Sequence, residues 1–466
     1  EIAWNHAGTQ LAYTCKKLTG TQYALSTDSD IYLYDVASGR TSNLTEGMPG
    51  YDKYPVFSPD DSMIAFTSME RPGNESDKDR LFVMSLADGS KRYLTEGFDY
   101  NAGNVRWADD STLLFLSPIR ATIQLCSVSL SGGPVRVITS GAHDLNAFSA
   151  AGGRVVAEMT TLGSPTELFD VNPSDGAMTR ITNTNAEIYE RIRMGKVEER
   201  WVETTDGKRM LVWVVLPPDF DPSKKYPALL YCQGGPQSVV SQFWSYRWNL
   251  QLMAAQGYVV VAPNRRGLPS FGQEWLDQIS GDYSGQNIRD YLSAIDDVSA
   301  EPWVDRDRLG CVGASYGGYS VFFLAGNHQK RFKAFIAHCG MFNFESMYGA
   351  TEELWFPNND LGGPYWSDSP VARRSYANSP HKFVKNWDTP ILIFSGQRDF
   401  RIPYTESLQA FTAARLMGVP SRLVSFEDEA HQVFKPQNSL VWNREFFSWL
   451  DRYVKNAETP AEQTGR

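Results

Sequence analysis

Residues 309–326 read LGCVGASYGGYSVFFLAG, and this stretch predicts the fold of the half of the chain in which it lies. A short apolar run leads into Gly313-Ala-Ser315-Tyr-Gly317, and an apolar helical pattern follows. GxSxG between a strand and a helix is the pattern of a nucleophile elbow, which exposes the serine hydroxyl above a sheet. Glycines flank the serine because the backbones pass too close to leave room for Cβ atoms. Ser315 is therefore the predicted nucleophile; because GxSxG also arises by chance, a glycine-rich structural turn is the alternative.

Two later loops offer the partners of such a serine in the required chain order, which is serine, acid, histidine. The apolar run ILIFS is followed by GQRDFRIP, which contains Asp399, and SRLVSF is followed by EDEAHQ, which contains His431. Both loops would emerge at the carboxyl ends of parallel strands, where α/β sheets place their sites. His431 is expected to take the proton of Ser315, while Asp399 orients the imidazole. Asp428 and Glu429 compete as the acid, but they lie on the same loop as His431.

Short apolar strands alternate with helical patterns throughout this half, which we assign to residues 191–460. This alternation predicts an α/β fold, a mostly parallel sheet with helices on both faces. The last helical pattern, residues 438–455, is predicted to direct one face toward the core, formed by Leu440, Phe447, Leu450 and Val454.

Residues 1–190 contain a degenerate repeat with two markers. An aromatic residue followed by a polar turn and an apolar strand occurs four times, beginning at Trp4, Phe57, Trp107 and Phe148. A strand, a glycine turn and a threonine-containing strand recur with spacings of 50, 44 and 43 residues between Thr45, Thr95, Thr139 and Thr182. Units of this length with short strands predict about four blades of a β-propeller, with a sandwich of hairpins as the alternative. Because a blade motif begins at Trp4, we expect further blades before this sequence.

Composition excludes several classes of function. The net charge of −10 and the absence of a basic stripe argue against a nucleic-acid partner. Five dispersed cysteines and six histidines without HxxxH spacing indicate neither a disulfide framework nor a metal site. No apolar run approaches the ~20 residues that span a bilayer, so no membrane partner is expected. The N-terminal residues resemble no secretion signal, which would be removed or lie upstream, so the composition leaves the compartment open.

Six motifs in order resemble the prolyl oligopeptidase family of serine peptidases, within it the acylaminoacyl-peptidase branch and its dipeptidyl-peptidase members. They are GGPQS, NRRGLPSFGQEW, GASYGGYS, SPHKF, GQRDFRIP and DEAHQV. The resemblance implies a β-propeller joined to a C-terminal α/β-hydrolase domain, acting on peptide substrates by releasing N-terminal dipeptides. It implies no metal or organic cofactor. It is compatible with a homodimer and suggests a periplasmic or secreted protein, without excluding the cytoplasm.

The resemblance also assigns roles to residues around the predicted triad. Arg401 matches the arginine that binds the carbonyl of the penultimate substrate residue, a task suited to a guanidinium because it never loses its charge. The backbone N–H of Tyr316 matches the first oxyanion donor. The second donor is open between the side-chain amide of Gln233, which replaces the usual histidine or tyrosine, and a backbone N–H around Gly234.

Recognition of a free α-amine calls for a carboxylate near the nucleophile. The insertion ERPGNESDKD interrupts the repeat, and we expect Glu75 to reach the amine, with Asp77 as its substitute. Tyr348 and Trp355, in an aromatic segment, are the predicted contacts of an apolar substrate side chain. The competing functions are an acylaminoacyl peptidase or oligopeptidase, a carboxylesterase, and a non-catalytic propeller protein that binds a partner.

Overall fold

The computed structural model describes residues 1–456, and residues 457–460 of the predicted catalytic domain lie outside the described residues. The chain divides into two compact units. The first unit comprises Glu1–Glu190 with the short segments Ser241–Trp244 and Pro269–Asp277. The second comprises Arg191–Val240, Ser245–Leu268 and the described chain from Gln278 to Asn456. No helix within residues 1–456 is both long enough and apolar enough to cross a membrane.

The first unit consists of four antiparallel meanders of four strands each. The first meander contains β1 Ile2–Trp4, β2 Gln10–Cys15, β3 Asp30–Asp35 and β4 Thr41–Asn43. The second contains β5 Asp52–Phe57, β6 Met63–Ser68, β7 Arg80–Ser85 and β8 Lys91–Tyr93. The third contains β9 Gly103–Asp109, β10 Thr112–Ile119, β11 Thr122–Ser129 and β12 Arg136–Val137. The fourth contains β13 Asp144–Ala151, β14 Arg154–Thr161, β15 Ser164–Val171 and β16 Met178–Arg180, and a parallel pairing of Ile123 with Asp144 joins it to the third.

The repeated threonines have the same structural role in every meander. Each side-chain oxygen accepts a hydrogen bond from a backbone N–H 14 residues earlier; the donors are those of Ile31, Leu81, Leu125 and Leu168, at 3.0, 3.0, 2.9 and 2.9 Å. The threonine thus ties the segment after the fourth strand of each meander to the third strand beside it. The spacing in the sequence therefore reflects one hydrogen bond that is repeated in each meander.

The repeated aromatic residues mark separate apolar cores. Phe57, Trp107 and Phe148 are buried, each in a different cluster of apolar side chains, whereas Trp4 is 57% exposed. Each cluster draws side chains from two successive meanders, because an isolated meander has little apolar surface of its own to bury. The first unit is therefore propeller-like in its local architecture, with repeated four-stranded antiparallel sheets.

The second unit is built on one eight-stranded sheet in the order β17-β18-β20-β19-β21-β22-β23-β24. Its strands are β17 Val197–Glu203, β18 Arg209–Val215, β19 Tyr226–Cys232, β20 Val259–Pro263, β21 Val304–Ala314, β22 Ala334–His338, β23 Ile391–Gly396 and β24 Ser421–Phe426. The pairings that involve β18 are antiparallel, and all pairings from β20 to β24 are parallel. The runs ILIFS and SRLVSF are adjacent parallel strands, so the loops that follow them leave the same edge of the sheet.

Helices cover both faces of this sheet. An added Cβ at Gly310 would meet side chains of the C-terminal helix, and one at Gly313 would meet the helix after Ser315. Side chains three positions apart on a strand point to opposite faces, so these two helices lie on opposite sides of β21. The prediction of an α/β fold with helices on both faces is confirmed.

The helices in chain order are α1 Thr21–Leu25, α2 Ala186–Tyr189, α3 Leu250–Ala255, α4 Gln273–Asp277, α5 Gln286–Ser299, α6 Tyr316–Ala325, α7 Phe344–Tyr348, α8 Trp355–Asp360, α9 Pro370–Ala377, α10 Tyr404–Leu416 and α11 Pro436–Leu450. A 3₁₀ helix spans Pro380–Asn386, and a wider helical turn, Asp451–Lys455, extends α11. The predicted inner face of the last helix is wrong at Leu440, which is 75% exposed. Trp442 and Phe446 join the predicted Leu450 on the inner face, because their large rings, at eight and four residues before Leu450, remove more apolar area from water than Leu440 would.

Candidate active site

Ser315 occupies a sharp turn between β21 and α6. Its backbone has φ 60° and ψ −124°, a conformation that is costly for a residue with a side chain. Little space surrounds the turn, because an added Cβ at Gly313 would lie 2.6 Å from the carbonyl oxygen of Gly317. At Gly317 the same atom would lie 2.0 Å from the carbonyl oxygen of Cys232 on β19. The geometry explains why both glycines of GxSxG accompany the serine.

Gly317→Ala is expected to lower the free energy of unfolding by about 3 kcal/mol, because the new methyl group meets fixed backbone rather than a movable side chain. Urea unfolding followed by tryptophan fluorescence measures the change. Gly97→Ala is the matched control, since Gly97 is exposed and an added Cβ there has no neighbour within 4 Å. A Gly317→Ala protein as stable as the Gly97→Ala control would contradict the packing described here.

A chain of hydrogen bonds joins Ser315, His431 and Asp399. Nε2 of His431 lies 2.9 Å from Oγ of Ser315, and Nδ1 lies 2.7 Å from Oδ2 of Asp399. The Asp399 side chain is fully buried, and its Oδ1 accepts hydrogen bonds from the N–H groups of Arg401 and Ile402 at 3.0 and 2.9 Å. A carboxylate at Nδ1 places the ring proton there and leaves Nε2 as an acceptor for the serine proton. The structure thus brings the three residues of the sequence prediction together.

The loops that carry these residues are fixed to one another. Ser315 donates its N–H to the carbonyl of His338 at the end of β22, at 2.9 Å. Arg398 donates its N–H to the carbonyl of Glu429 at 3.0 Å, which joins the Asp399 loop to the His431 loop. Gly396 completes this contact, since a Cβ there would lie 2.1 Å from the carbonyl oxygen of Ala430. The mutual geometry of the three side chains is therefore set by backbone contacts.

The two competing acids have other partners. Glu429 accepts hydrogen bonds from the N–H groups of Phe434 and Lys435 at 3.2 and 2.9 Å. Asp428 forms an ion pair with the Lys435 ammonium and accepts from the amide of Asn438. Both carboxylates therefore fold the loop that carries His431, while Asp399 contacts the imidazole.

Cys339 is a neighbour of the imidazole that the sequence reasoning missed. Its thiol donates to the carbonyl of His431 at 3.2 Å, and Sγ lies 3.9 Å from Nε2. The signal was its position directly after β22, at the edge of the sheet where Ser315 lies. Burial of the ring opposes its protonation, but Cys339 and Asp399 favour the charged form, so the pKa of His431 is raised from 6.5. Cys339, Asp399 and His431 also bring ligand atoms within 4.8 Å of one another, but a metal ion there would displace the contacts of the imidazole.

The raised pKa of His431 predicts the acid side of the pH profile. The ring accepts the serine proton only when it is neutral, so reactivity is expected to fall as the pH drops through a midpoint above about 6.5. The rate of fluorophosphonate labelling against pH is the suitable measure, because a peptide substrate carries its own α-amine, which titrates at about 8. Recovery of the rate on return to high pH excludes unfolding as the cause. A midpoint at or below the ordinary imidazole value would contradict the electrostatic description.

The predicted oxyanion donors lie around the elbow. Tyr316 is the first residue of α6, so its N–H has no acceptor within the helix. Gln233 is the less suitable candidate, because its Nε2 lies 3.2 Å from Oγ of Ser238 and its Oε1 accepts from Tyr231 at 2.7 Å. The backbone of Gly234 passes close to the nucleophile, and an added Cβ there would lie 3.5 Å from Cβ of Ser315.

Arg265, from the motif NRRG, contacts both the ring of Tyr316 and the loop that contains Gln233 and Gly234. The residue is fully buried, and its guanidinium lies 4.5 Å from the ring centroid of Tyr316. It also donates to the carbonyl of Pro236 at 3.1 Å, within the loop that contains Gln233 and Gly234. The motif NRRG thus contributes a buried arginine that holds the loop containing Gln233 and Gly234.

Arg401 is half-exposed and interacts with two consecutive glutamates. Its Nη2 lies 2.8 Å from Oε1 of Glu353, and its Nε lies 4.0 Å from Oε1 of Glu352. The sequence reasoning missed both glutamates, although they lie in the segment that supplied Tyr348 and Trp355. Burial, partly opposed by Arg401 and reinforced by Glu352, raises the pKa of Glu353.

Tyr348 and Trp355, the predicted contacts of an apolar substrate side chain, differ in burial and in their neighbours. Tyr348 is buried, donates to Asn358 at 3.0 Å and packs edge-on against Tyr365 and Trp366. Trp355 begins α8 and is partly exposed. The ring of Tyr348 is therefore part of an aromatic cluster of the second unit.

Glu75 and Asp77 lie in the first unit, on the loop between β6 and β7. Asp77 is buried, and its carboxylate accepts from Nε of Arg71 at 2.7 Å and from Nδ2 of Asn74 at 2.6 Å. These bonds fold the insertion and leave Asp77 a poor substitute for an amine ligand. Glu75 is partly buried.

Comparisons with known proteins match this architecture. The family model described as the prolyl oligopeptidase family matches residues 244–457. Dipeptidyl-peptidase 5 of Porphyromonas gingivalis is 54% identical over 457 residues, which cover 98% of this chain and 67% of that protein. Dipeptidyl-peptidase 5 of Porphyromonas endodontalis is 50% identical, with coverage of 98% and 66%. The chain thus spans about two thirds of the length of these curated relatives.

A solved structure of the acylaminoacyl peptidase of Pyrococcus horikoshii has the same fold, with a TM-score of 0.85 at 22% identity over 98% of this chain and 71% of that chain. An acylaminoacyl peptidase in complex with Z-Gly-Gly-Phe-chloromethyl ketone gives a TM-score of 0.86 at 23% identity, with the same coverage. Identities this low establish the fold alone, whereas the identity to the curated relatives over nearly the whole chain establishes the family. The chain therefore belongs to the prolyl oligopeptidase family of serine peptidases.

Proposed function

We propose that this protein is a serine peptidase that releases dipeptides from the N-termini of peptides through an acyl-enzyme. The observation that carries the proposal is the hydrogen-bonded chain from Ser315 through His431 to the buried Asp399. The two curated relatives at 50% identity or more carry the name dipeptidyl-peptidase 5, which supports the dipeptide as the released product.

The chemistry follows from the roles of these three side chains. Oγ of Ser315 attacks the scissile carbonyl while Nε2 of His431 takes its proton, and the imidazolium then protonates the leaving amine. Water then attacks the acyl-enzyme while His431 again takes and returns a proton, and this step releases the dipeptide and restores Ser315. The buried Asp399 stabilises the imidazolium and holds the ring tautomer. This route uses the peptide, one water molecule and the three side chains of the second unit.

Two backbone N–H groups, of Tyr316 and Gly234, are our proposed oxyanion donors. The proximity of Gly234 to Ser315 and the partners of the Gln233 amide favour the backbone over the side chain. A preorganised donor of this kind typically contributes about 10²–10³ in rate. Arg265 supports this role by fixing the loop through the carbonyl of Pro236.

Substrate recognition is proposed to involve both predicted and newly found groups. Arg401 binds the carbonyl of the penultimate residue, and Tyr348 and Trp355 contribute to an apolar pocket. Glu75 stays a prediction as a ligand of the substrate amine. Because the first unit has four-stranded meanders, we propose that it belongs to a β-propeller. The homodimer, the lack of a nucleic-acid partner and the periplasmic or secreted location also stay proposals.

A panel of chromogenic substrates tests the proposed activity. We expect cleavage of dipeptidyl p-nitroanilides with a free α-amine, at least tenfold faster than cleavage of their N-acetylated forms or of aminoacyl p-nitroanilides. Faster cleavage of N-acetylated substrates would indicate an acylaminoacyl peptidase, and a preference for simple esters would indicate a carboxylesterase. No turnover and no fluorophosphonate labelling would leave the non-catalytic binding protein.

A further inference from the structure

We infer that Glu353, assisted by Glu352, binds the free α-ammonium group of the substrate and so limits the enzyme to unblocked N-termini. The inference rests on the proposed dipeptidyl-peptidase function and deepens it. The segment Thr351–Glu353 lies within the second unit, as do the residues that it contacts.

The glutamates are fixed beside the Asp399 loop. Glu352 donates its N–H to the carbonyl of Phe400 at 2.9 Å, and Oγ1 of Thr351 donates to the carbonyl of Arg401 at 2.7 Å. Asp399 in turn accepts the N–H of Arg401. The segment that carries the glutamates is therefore tied by backbone bonds to the loop that positions the catalytic acid.

The charges of this cluster do not balance. The one guanidinium of Arg401 faces two carboxylates, those of Glu353 at 2.8 Å and Glu352 at 4.0 Å. The cluster of Arg401, Glu352 and Glu353 therefore keeps one net negative charge. A cation that joins the cluster would relieve this repulsion, and an ammonium offers three donors that form strong, short bonds to carboxylates.

The position and the partial burial of Glu353 also suit it to bind an ammonium group. Its side chain is 24% exposed, so one face is open while the rest is shielded from water. Its Oε1 is held 2.8 Å from Nη2 of Arg401, two residues after Asp399 on the loop that carries the catalytic acid. In a dipeptidyl substrate, the amine lies two residues from the scissile carbonyl, a distance of about 7 Å in extended chain. Because Arg401 is proposed to bind the carbonyl of the same substrate residue that carries the amine, a carboxylate in contact with Arg401 lies next to the position expected for that amine.

The test compares free and acetylated substrates in Glu353→Gln, an almost isosteric change that removes the charge. With a dipeptidyl p-nitroanilide we expect kcat/KM to fall by about 30- to 300-fold, mainly through KM, because one charge-assisted partner of the amine is lost. With the N-acetylated substrate, which has no ammonium, the expected loss is below about threefold. Glu353→Asp should restore part of the preference for the free amine. The rate of fluorophosphonate labelling should not change.

Controls separate recognition of the amine from other roles. Glu301→Gln is the matched control, because Glu301 is also a partly exposed partner of an arginine, 2.7 Å from Arg200. Equal losses on both substrates would overturn the inference and show that Glu353 acts by orienting Arg401, since both substrates carry the penultimate carbonyl. Loss of the free-amine preference in Glu75→Gln but not in Glu353→Gln would overturn it in favour of the first unit. If the wild-type enzyme shows no preference for the free amine, the proposed function itself fails before any variant is compared.

Discussion

Ser315→Ala is expected to lower kcat on a dipeptidyl p-nitroanilide by about 10⁶-fold, the loss typical when the nucleophile of such a triad is removed. Oγ of Ser315 is the hydroxyl oxygen 2.9 Å from Nε2 of His431, so the variant lacks the group from which the imidazole takes a proton. Fluorophosphonate labelling should disappear together with turnover. Steady-state kinetics at substrate saturation, with a protein preparation free of other peptidases, gives the measurement.

Ser320→Ala provides the control on the same helix. Ser320 is buried and donates to the carbonyl of Tyr316 at 3.0 Å, one turn after the elbow. Its loss is expected to change kcat by less than about threefold, because a single hydrogen bond of this kind contributes little on balance. A Ser315→Ala protein that keeps more than about one percent of wild-type turnover would contradict a mechanism through this hydroxyl.

Asp399→Asn is expected to lower kcat by about 10⁴-fold, as the same change does in other triads. The hydrogen bonds around Asp399 give the reason. Oδ1 accepts from the N–H groups of Arg401 and Ile402, so an asparagine must keep its carbonyl oxygen there. Its NH₂ group then faces Nδ1 of His431 and forces the proton onto Nε2. In that tautomer the imidazole cannot accept the proton of Ser315.

Asp428→Asn is the matched control for this prediction. Asp428 lies on the His431 loop and pairs with Lys435, and it was an alternative acid in the sequence. Its replacement is expected to change kcat by less than about fivefold, since an exposed ion pair contributes little. If Asp428→Asn cost as much as Asp399→Asn, the assignment of the acid would be wrong. The kcat values of both variants near pH 8 decide between the two carboxylates.

The sequence predicted the fold of the second unit because its signals are local. Apolar runs of five or six residues alternate with helical patterns, and these form adjacent parallel strands such as β23 and β24. The elbow is equally local, since Gly313 and Gly317 are required by backbone atoms within a few residues and on β19. The threonine spacing in the first unit likewise reflects one repeated hydrogen bond.

Several features depended on contacts between distant residues, and the sequence could not rank them. The face of α11 was predicted from Leu440, yet Trp442 and Phe446 are buried there because larger rings fill the space against the sheet. The amide of Gln233 is an eligible oxyanion donor by type, but it is engaged by Tyr231 and Ser238.

By itself, the sequence determined the residue types of the site and the order of the loops that carry them, because backbone geometry and strand order need little more than local pattern. Only the tertiary structure decided which side chains surround the imidazole and the guanidinium. Cys339 reaches His431, and Glu353 reaches Arg401, through packing of segments far apart in the chain. Such partners are chosen by distance and burial, which a pattern along one chain does not record.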